Sequence, residues 1–314
     1  MEILKPRLKT SGLAASSYQF EVQLDRIKTR TEKDGYIDCI FVGSSRVLRG
    51  INPDTVEELY LKMTGQPIKC QNFGLAGLGM IGSAKIANLL TGLYHPRLIV
   101  IGTQFRDIQP QPVDYTILND PWVQYRTGEL NFDGWLTDHS LAFRYFQDEI
   151  SYLSIGDDQV TQDEAASDQI LQNGYFPLGF SGNPLDNLEW EMHGTYSIAD
   201  NSREAIKELL DLRKGDVQIL FVEMPIRYDR YKNSKYNYND EHIFKKEITQ
   251  LLNKSGSTIW FTQDLNLIQT NGWYESEHMN KTGAEIFSIW LGNQLGTAVK
   301  NGTLVIPARA TVNP

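Results

Sequence analysis

The sequence is poor in the residues from which metal centres and disulfide frameworks are built. Among 314 residues there are two cysteines, Cys39 and Cys70, and five histidines. Both cysteines sit inside apolar runs, so they read as small buried hydrophobes, with neither a disulfide framework nor a metal-ligand spacing implied. No continuous apolar stretch is long enough to cross a bilayer, and the mixed, polar residues 1–20 do not read as a signal segment. No membrane span is expected, and a cytoplasmic location is the expectation. A basic excess is missing too: 30 Lys and Arg face 39 Asp and Glu, for a formal net charge of −9. A phosphate backbone finds no electrostatic support on such a chain, so nucleic acid is not an expected partner. Internal repeats and low-complexity tracts are absent. So is a glycine-rich loop ending in Lys-Ser or Lys-Thr, which a phosphate-cradling loop requires.

What is present is the composition of a chain able to bury a sizeable core, with 41% hydrophobic and 22% charged residues. Five short apolar runs, at 37–43, 67–74, 97–102, 217–222 and 258–262, read as strands. Between and around them, helical patterns occupy 21–31, 53–64, 81–93, 135–153, 203–213, 243–252 and 281–295. Asn52-Pro53-Asp54 is a helix-start signal and Gly65 a stop. Strands alternating with helices imply a doubly wound, three-layer α/β/α domain with a mostly parallel five-stranded, flavodoxin-like sheet. Residues 1–35 read as an N-terminal extension, 36–298 as the α/β domain and 299–314 as a C-terminal tail. Two long irregular insertions, 105–135 and 154–200, exceed plain connectors and are candidates for lids or substrate walls. Trp135 and the pair Arg144-Tyr145 read as helix packing. Tyr228, Tyr231, Tyr236 and Tyr238, interleaved with Arg227, Arg230, Lys232 and Lys235, read as a solvated loop or a lid.

In open α/β sheets the ligand crevice lies beyond the carboxyl ends of the strands. Gly43-Ser44-Ser45-Arg46 follows the first strand directly, where a serine hydroxyl can point into that crevice. A serine nucleophile needs an imidazole to take its proton, and the imidazole needs a carboxylate to fix its tautomer. His95 precedes Pro96 ahead of a strand, and His139, His193 and His242 fall in helical or irregular stretches. Only His278 follows a strand end, and Glu275, three residues earlier, can fold back to its Nδ1.

These blocks resemble those of the SGNH (GDSL-like) hydrolase superfamily in order and approximate spacing, over residues 37–105 and 216–295. Phe41-Val-Gly-Ser-Ser-Arg46 is similar to the first block, which implies Ser45 as nucleophile. Asn72-Phe-Gly-Leu-Ala-Gly77 resembles the second, which implies that the Gly77 N–H serves an oxyanion. Ile101-Gly-Thr-Gln104 stands where the third block carries Gly-x-Asn-Asp, and Glu275-Ser-Glu-His278, trailed by Asn280 and Gly283, where the last carries Asp-x-x-His. Two departures stand out. Gln104 replaces the third-block asparagine, with Thr103 or Arg106 as alternatives in oxyanion or substrate binding, and the orienting acid is glutamate. The resemblance implies an acyl-ester hydrolase or O-acyltransferase acting through a Ser45–His278–Glu275 triad on a small acylated or glycan-like substrate, without metal or organic cofactor. The departures favour the alternative, a catalytically inactive SGNH-fold binding protein.

Overall fold

The structure, a computed structural model, describes residues 12–13, 17–109, 115–154, 165, 167–179, 197–215, 217–227 and 238–308. Five strands form one sheet: β1 (Cys39–Gly43), β2 (Cys70–Gly74), β3 (Leu98–Thr103), β4 (Gln218–Glu223) and β5 (Ile259–Trp260). Every pairing is parallel and the spatial order is β2-β1-β3-β4-β5. The order reverses between β1 and β3, which opens the crevice at the carboxyl end of β1.

Strand side chains alternate between two cores because successive residues point to opposite faces. Ile40, Val42, Ile99, Ile101, Ile219 and Phe221 pack with helices α1 (Tyr18–Asp34), α4 (Met80–Tyr94), α9 (Asp200–Asp211) and α10 (Tyr238–Asn253). Cys39, Phe41, Leu98, Val100, Leu220 and Val222 pack with α3 (Pro53–Thr64) and α11 (Lys281–Lys300). The result is the expected three-layer α/β/α domain. No helix among the described residues is long and apolar enough to cross a membrane.

Several local expectations change. The stretch 1–35, read as an extension, contributes α1 to the core, with Phe20 and Ile27 fully buried. Strand β5 is two residues long, not five. The buried Glu223 carboxylate accepts the Thr262 and Gln263 N–H groups at 2.7 and 2.8 Å, and so turns the chain out of the ladder. The helix expected over 135–153 is two, α7 (Phe132–His139) and α8 (Leu141–Ser154). Ser140 breaks it: its hydroxyl accepts the Phe143 N–H at 3.2 Å, while Arg144 donates to the Thr137 and Asp138 carbonyls. Within 105–135, expected to be irregular, lie α5 (Tyr115–Leu118) and α6 (Pro121–Arg126). Asp120-Pro121 starts α6 with a side-chain cap to Trp122 and Val123. That is the signal already seen at Asn52-Pro53. In the other insertion, Asn173 accepts from Asn72 N–H at 2.9 Å, covering the exposed edge of β2. The expected tail packs at first, with Leu304 buried and the Pro307 carbonyl held by Arg97. The tyrosines at 228, 231 and 236, and His193, lie outside the described residues.

Three glycines stand in register at the carboxyl ends of three adjacent strands, Gly43 and Gly74 as last residues and Gly102 one before the last, with Gly43 beside both others. The short helix α2 (Ser45–Gly50) lies directly on this row. A Cβ at Gly74 would stand 2.2 Å from the Leu48 nitrogen, and one at Gly102 would stand 2.3 Å from a Val47 methyl. The first neighbour is backbone and cannot rotate away. Gly74→Ala is therefore expected to cost about 1–3 kcal/mol in denaturant unfolding, as overpacking does. A neutral result would show that α2 is free to shift.

Candidate active site

The nucleophile turn is built from sequence outward. After Gly43, Ser44 is extended (φ −74°, ψ −169°) and Ser45 is the first residue of α2. Asn72 ties down the other end of that helix: its amide donates to the Val47 and Ile51 carbonyls at 2.7 and 2.8 Å. Its Oδ1 accepts from Gly74 at 2.8 Å. The Ser44 hydroxyl is buried and faces the Arg46 guanidinium at 3.5 Å. Ser45 is half-buried, and its hydroxyl faces elsewhere.

That direction is set by the loop between β5 and α11. Its base is pinched by Tyr274 N–H to His278 O at 2.9 Å and Asn280 N–H to Gly272 O at 3.0 Å. Asn280 also caps α11 through Gly283 N–H at 3.1 Å. In this closed loop His278 Nε2 stands 2.7 Å from Ser45 Oγ, and His278 Nδ1 contacts Glu275 Oε1. A proton on Nδ1 shared with the carboxylate leaves Nε2 free to accept from the serine. The second oxygen of Glu275 accepts from the Glu277 N–H at 3.0 Å and the Ser276 hydroxyl at 3.2 Å. Burial opposes the charge on Glu275. The hydrogen bond and charge of His278, with those two further donors, outweigh it and hold the carboxyl below its ordinary range. Glu275 thus adds stability that is complete above the unfolded carboxylate range and is lost as pH falls through its lowered value. The three side chains singled out in the sequence are therefore in contact, in the order serine, imidazole, carboxylate.

No protein-family model matches the chain, and no curated protein matches it. The chemistry of the site rests on its own geometry.

Around the triad lie the remaining sequence candidates. Gly77 sits in the exposed turn after β2 with φ 75°. That turn is tied to the nucleophile strand through Leu75 N–H to Gly43 O at 2.9 Å. Gln104, 2% exposed, follows β3. Its Oε1 accepts the Arg106 N–H at 3.1 Å, which fixes the orientation of the amide. Its Nε2 is buried without a hydrogen-bond partner, as is the neighbouring Thr103 hydroxyl. A buried donor left unpaired costs about 1–3 kcal/mol. Arg106 is instead committed to a carboxylate, that of Glu277. No group of three or more His, Cys, Asp or Glu side chains suited to a metal ion occurs among the described residues.

Residue-by-residue reading missed a buried charge network behind the triad. Arg46 donates to Asp107 at 2.9 Å and to Glu277 at 3.0 Å, while the other Glu277 oxygen takes Arg106. Burial works against the charge of Arg46, but Asp107 and Glu277 more than offset it and raise its pKa. Burial pushes the Asp107 carboxyl up, against the pull of Arg46 and Arg106. The network joins the nucleophile turn, the end of β3 and the histidine loop. It therefore holds Ser45 and His278 at a fixed separation.

Proposed function

We propose that this chain is a serine-dependent acyl-ester hydrolase or O-acyltransferase of the SGNH type, acting on a small acylated or glycan-like substrate. The observation that carries this reading is the 2.7 Å contact from Ser45 Oγ to His278 Nε2, with Glu275 on the opposite ring nitrogen. The order of the blocks along the chain and the parallel sheet of reversing strand order support it as well. In this scheme Ser45 Oγ attacks the ester carbonyl and its proton passes to His278 Nε2. Glu275 holds the ring and stabilises the imidazolium. Collapse of the tetrahedral adduct expels the alcohol, which takes the proton back, and leaves an acyl group on Ser45. Water or a second alcohol, deprotonated by the same imidazole, then releases the acyl group. The N–H groups of Ser45 and Gly77 and the unpaired Gln104 amide are the donors assigned to the oxyanion. None of these steps requires a cofactor.

The direct test is reaction with a serine-directed fluorophosphonate followed by peptide mapping. The expected adduct is on the peptide containing Ser45. An unlabelled chain would sink the acyl-transfer reading and leave an inactive SGNH-like binding domain.

Gln104 offers a finer check. As an oxyanion donor it acts mainly in the transition state, so Gln104→Ala is expected to lower kcat by about 10²–10³-fold with little change in KM. A change confined to KM would make it a ground-state substrate contact.

A further inference from the structure

Of the arginines Arg46, Arg106 and Arg49 near the triad, the first two are accounted for. Arg46 and Arg106 are both paired with carboxylates in the buried network. The third, Arg49, is different. It lies in the last turn of α2, four residues after Ser45, which puts the two on one face of that helix. No carboxylate hydrogen-bonds or ion-pairs with it among the described residues, and its Nε is buried with no partner at all. Its guanidinium carbon is 5.6 Å from the centroid of the Phe176 ring. Phe176 itself is held in place by its N–H to the Leu48 carbonyl at 3.0 Å. The charge of nearby Glu275 reaches it, but the Glu275 oxygens hydrogen-bond His278, Ser276 and the Glu277 N–H and not Arg49. Burial lowers the Arg49 pKa, the direction expected of a cation that has given up water without gaining a full counter-charge.

The cation–π contact explains where the guanidinium lies but not why its donors go unused. A cation–π contact leaves the in-plane N–H groups free. A half-buried cation with free donors is costly to maintain, and surface arginines avoid this by reaching into water. A guanidinium presents a planar fork of donors, the shape that matches a carboxylate or phosphate through two parallel hydrogen bonds.

We infer that Arg49 binds an oxyanion group of the substrate, most simply a carboxylate, one helical turn from the ester that Ser45 attacks. The inference rests on the acyl-transfer reading of the site, and it makes the preferred substrate an anionic ester. The carboxylate can belong to either half of the ester, and the two halves are separable by experiment.

The test uses binding to the full chain carrying Ser45→Ala, so that esters survive the measurement. Two matched pairs serve as probes. One is 4-nitrophenyl hemiglutarate against its neutral methyl ester, with the charge on the acyl side. The other is 4-acetoxybenzoate against 4-acetoxybenzamide, with the charge on the alcohol side. Calorimetric or NMR titration is expected to show the anion bound about tenfold or more tightly in at least one pair, as charge-assisted hydrogen bonds allow. Adding Arg49→Met should bring that ratio close to one, whereas Arg49→Lys, which keeps the charge but loses the fork, should retain part of it. Ratios near one in both pairs, or a preference that survives Arg49→Met, would overturn the assignment. If the methionine variant does not fold, an undiminished ratio in Arg49→Lys overturns the fork contact. Fluorophosphonate labelling of the unmutated chain reports separately on Ser45. A missing label with a retained, Arg49-dependent anion preference would therefore strike the acyl-transfer reading alone.

Discussion

Replacing Ser45 or His278 by alanine is expected to lower kcat/KM for a short-chain aryl ester by on the order of 10⁴–10⁶-fold, with the fold intact. Ser45 is half-buried at the start of a six-residue helix and His278 is on a loop, so neither truncation empties the core. The large loss follows from how the two act together. Without the imidazole the hydroxyl at 2.7 Å keeps its proton, and without the hydroxyl the imidazole has nothing to activate. Ser44→Ala is the control: that hydroxyl faces Arg46, and its loss should leave most of the activity. Glu275→Gln should fall between, on the order of 10⁴-fold or less, because the ring remains but its tautomer and orientation are no longer enforced. Steady-state kinetics on the four variants checks the ranking. Full activity in Ser45→Ala would overturn the triad.

The second large effect is on stability. Glu277→Gln is expected to cost about 3–5 kcal/mol in denaturant unfolding, the range for breaking a buried ion pair from one side. Glu277 carries a carboxylate that binds both Arg46 and Arg106, and the side chains of all three are 14% exposed or less. Removing its charge takes a carboxylate away from two buried guanidinium groups at once. Activity should suffer less than in Glu275→Gln, since Glu277 does not touch the imidazole ring. The pair thus separates chemistry from scaffolding: one carboxylate dominates turnover, the other unfolding. A cost below about 1 kcal/mol for Glu277→Gln would mean that the network is solvated and holds nothing together.

Much of this arrangement is legible along the chain, and the reason is its locality. The strands β1 to β4 announce themselves by short apolar runs ending in glycine or a polar residue. The acid and base of the triad are three residues apart. Asn72 and Gly74 belong to one short block. What was not legible depends on distance. Arg46 meets Asp107 across 61 positions and Glu277 across 231, and no local pattern marks either pairing. Arg106, a candidate substrate contact by sequence, is drawn into that same network. The shortness of β5 depends on Glu223, a residue of another strand. By contrast, the cap at Asp120-Pro121 was there to be read, but the surrounding proline and aromatic residues masked it. The in-register glycine row falls between these cases. Each glycine is visible at a strand end, while its purpose, a seat for α2, emerges only when the strands are side by side.

The separation of the two halves of the site along the chain has a consequence for biosynthesis. Ser45 and its glycine seat lie within residues 43–102 and leave the ribosome first. His278, Glu275 and the Glu277 clamp follow more than 170 positions later, and the loop that carries them is anchored to α11, whose Phe287 and Leu291 pack into the core with Val56 and Tyr60 of α3. On the proposed reading, the serine therefore stays without its base until those later residues have been made. In that scheme competence waits on the docking of α11 against α3, so a chain cut short before residue 275 is expected to be inert rather than partly active.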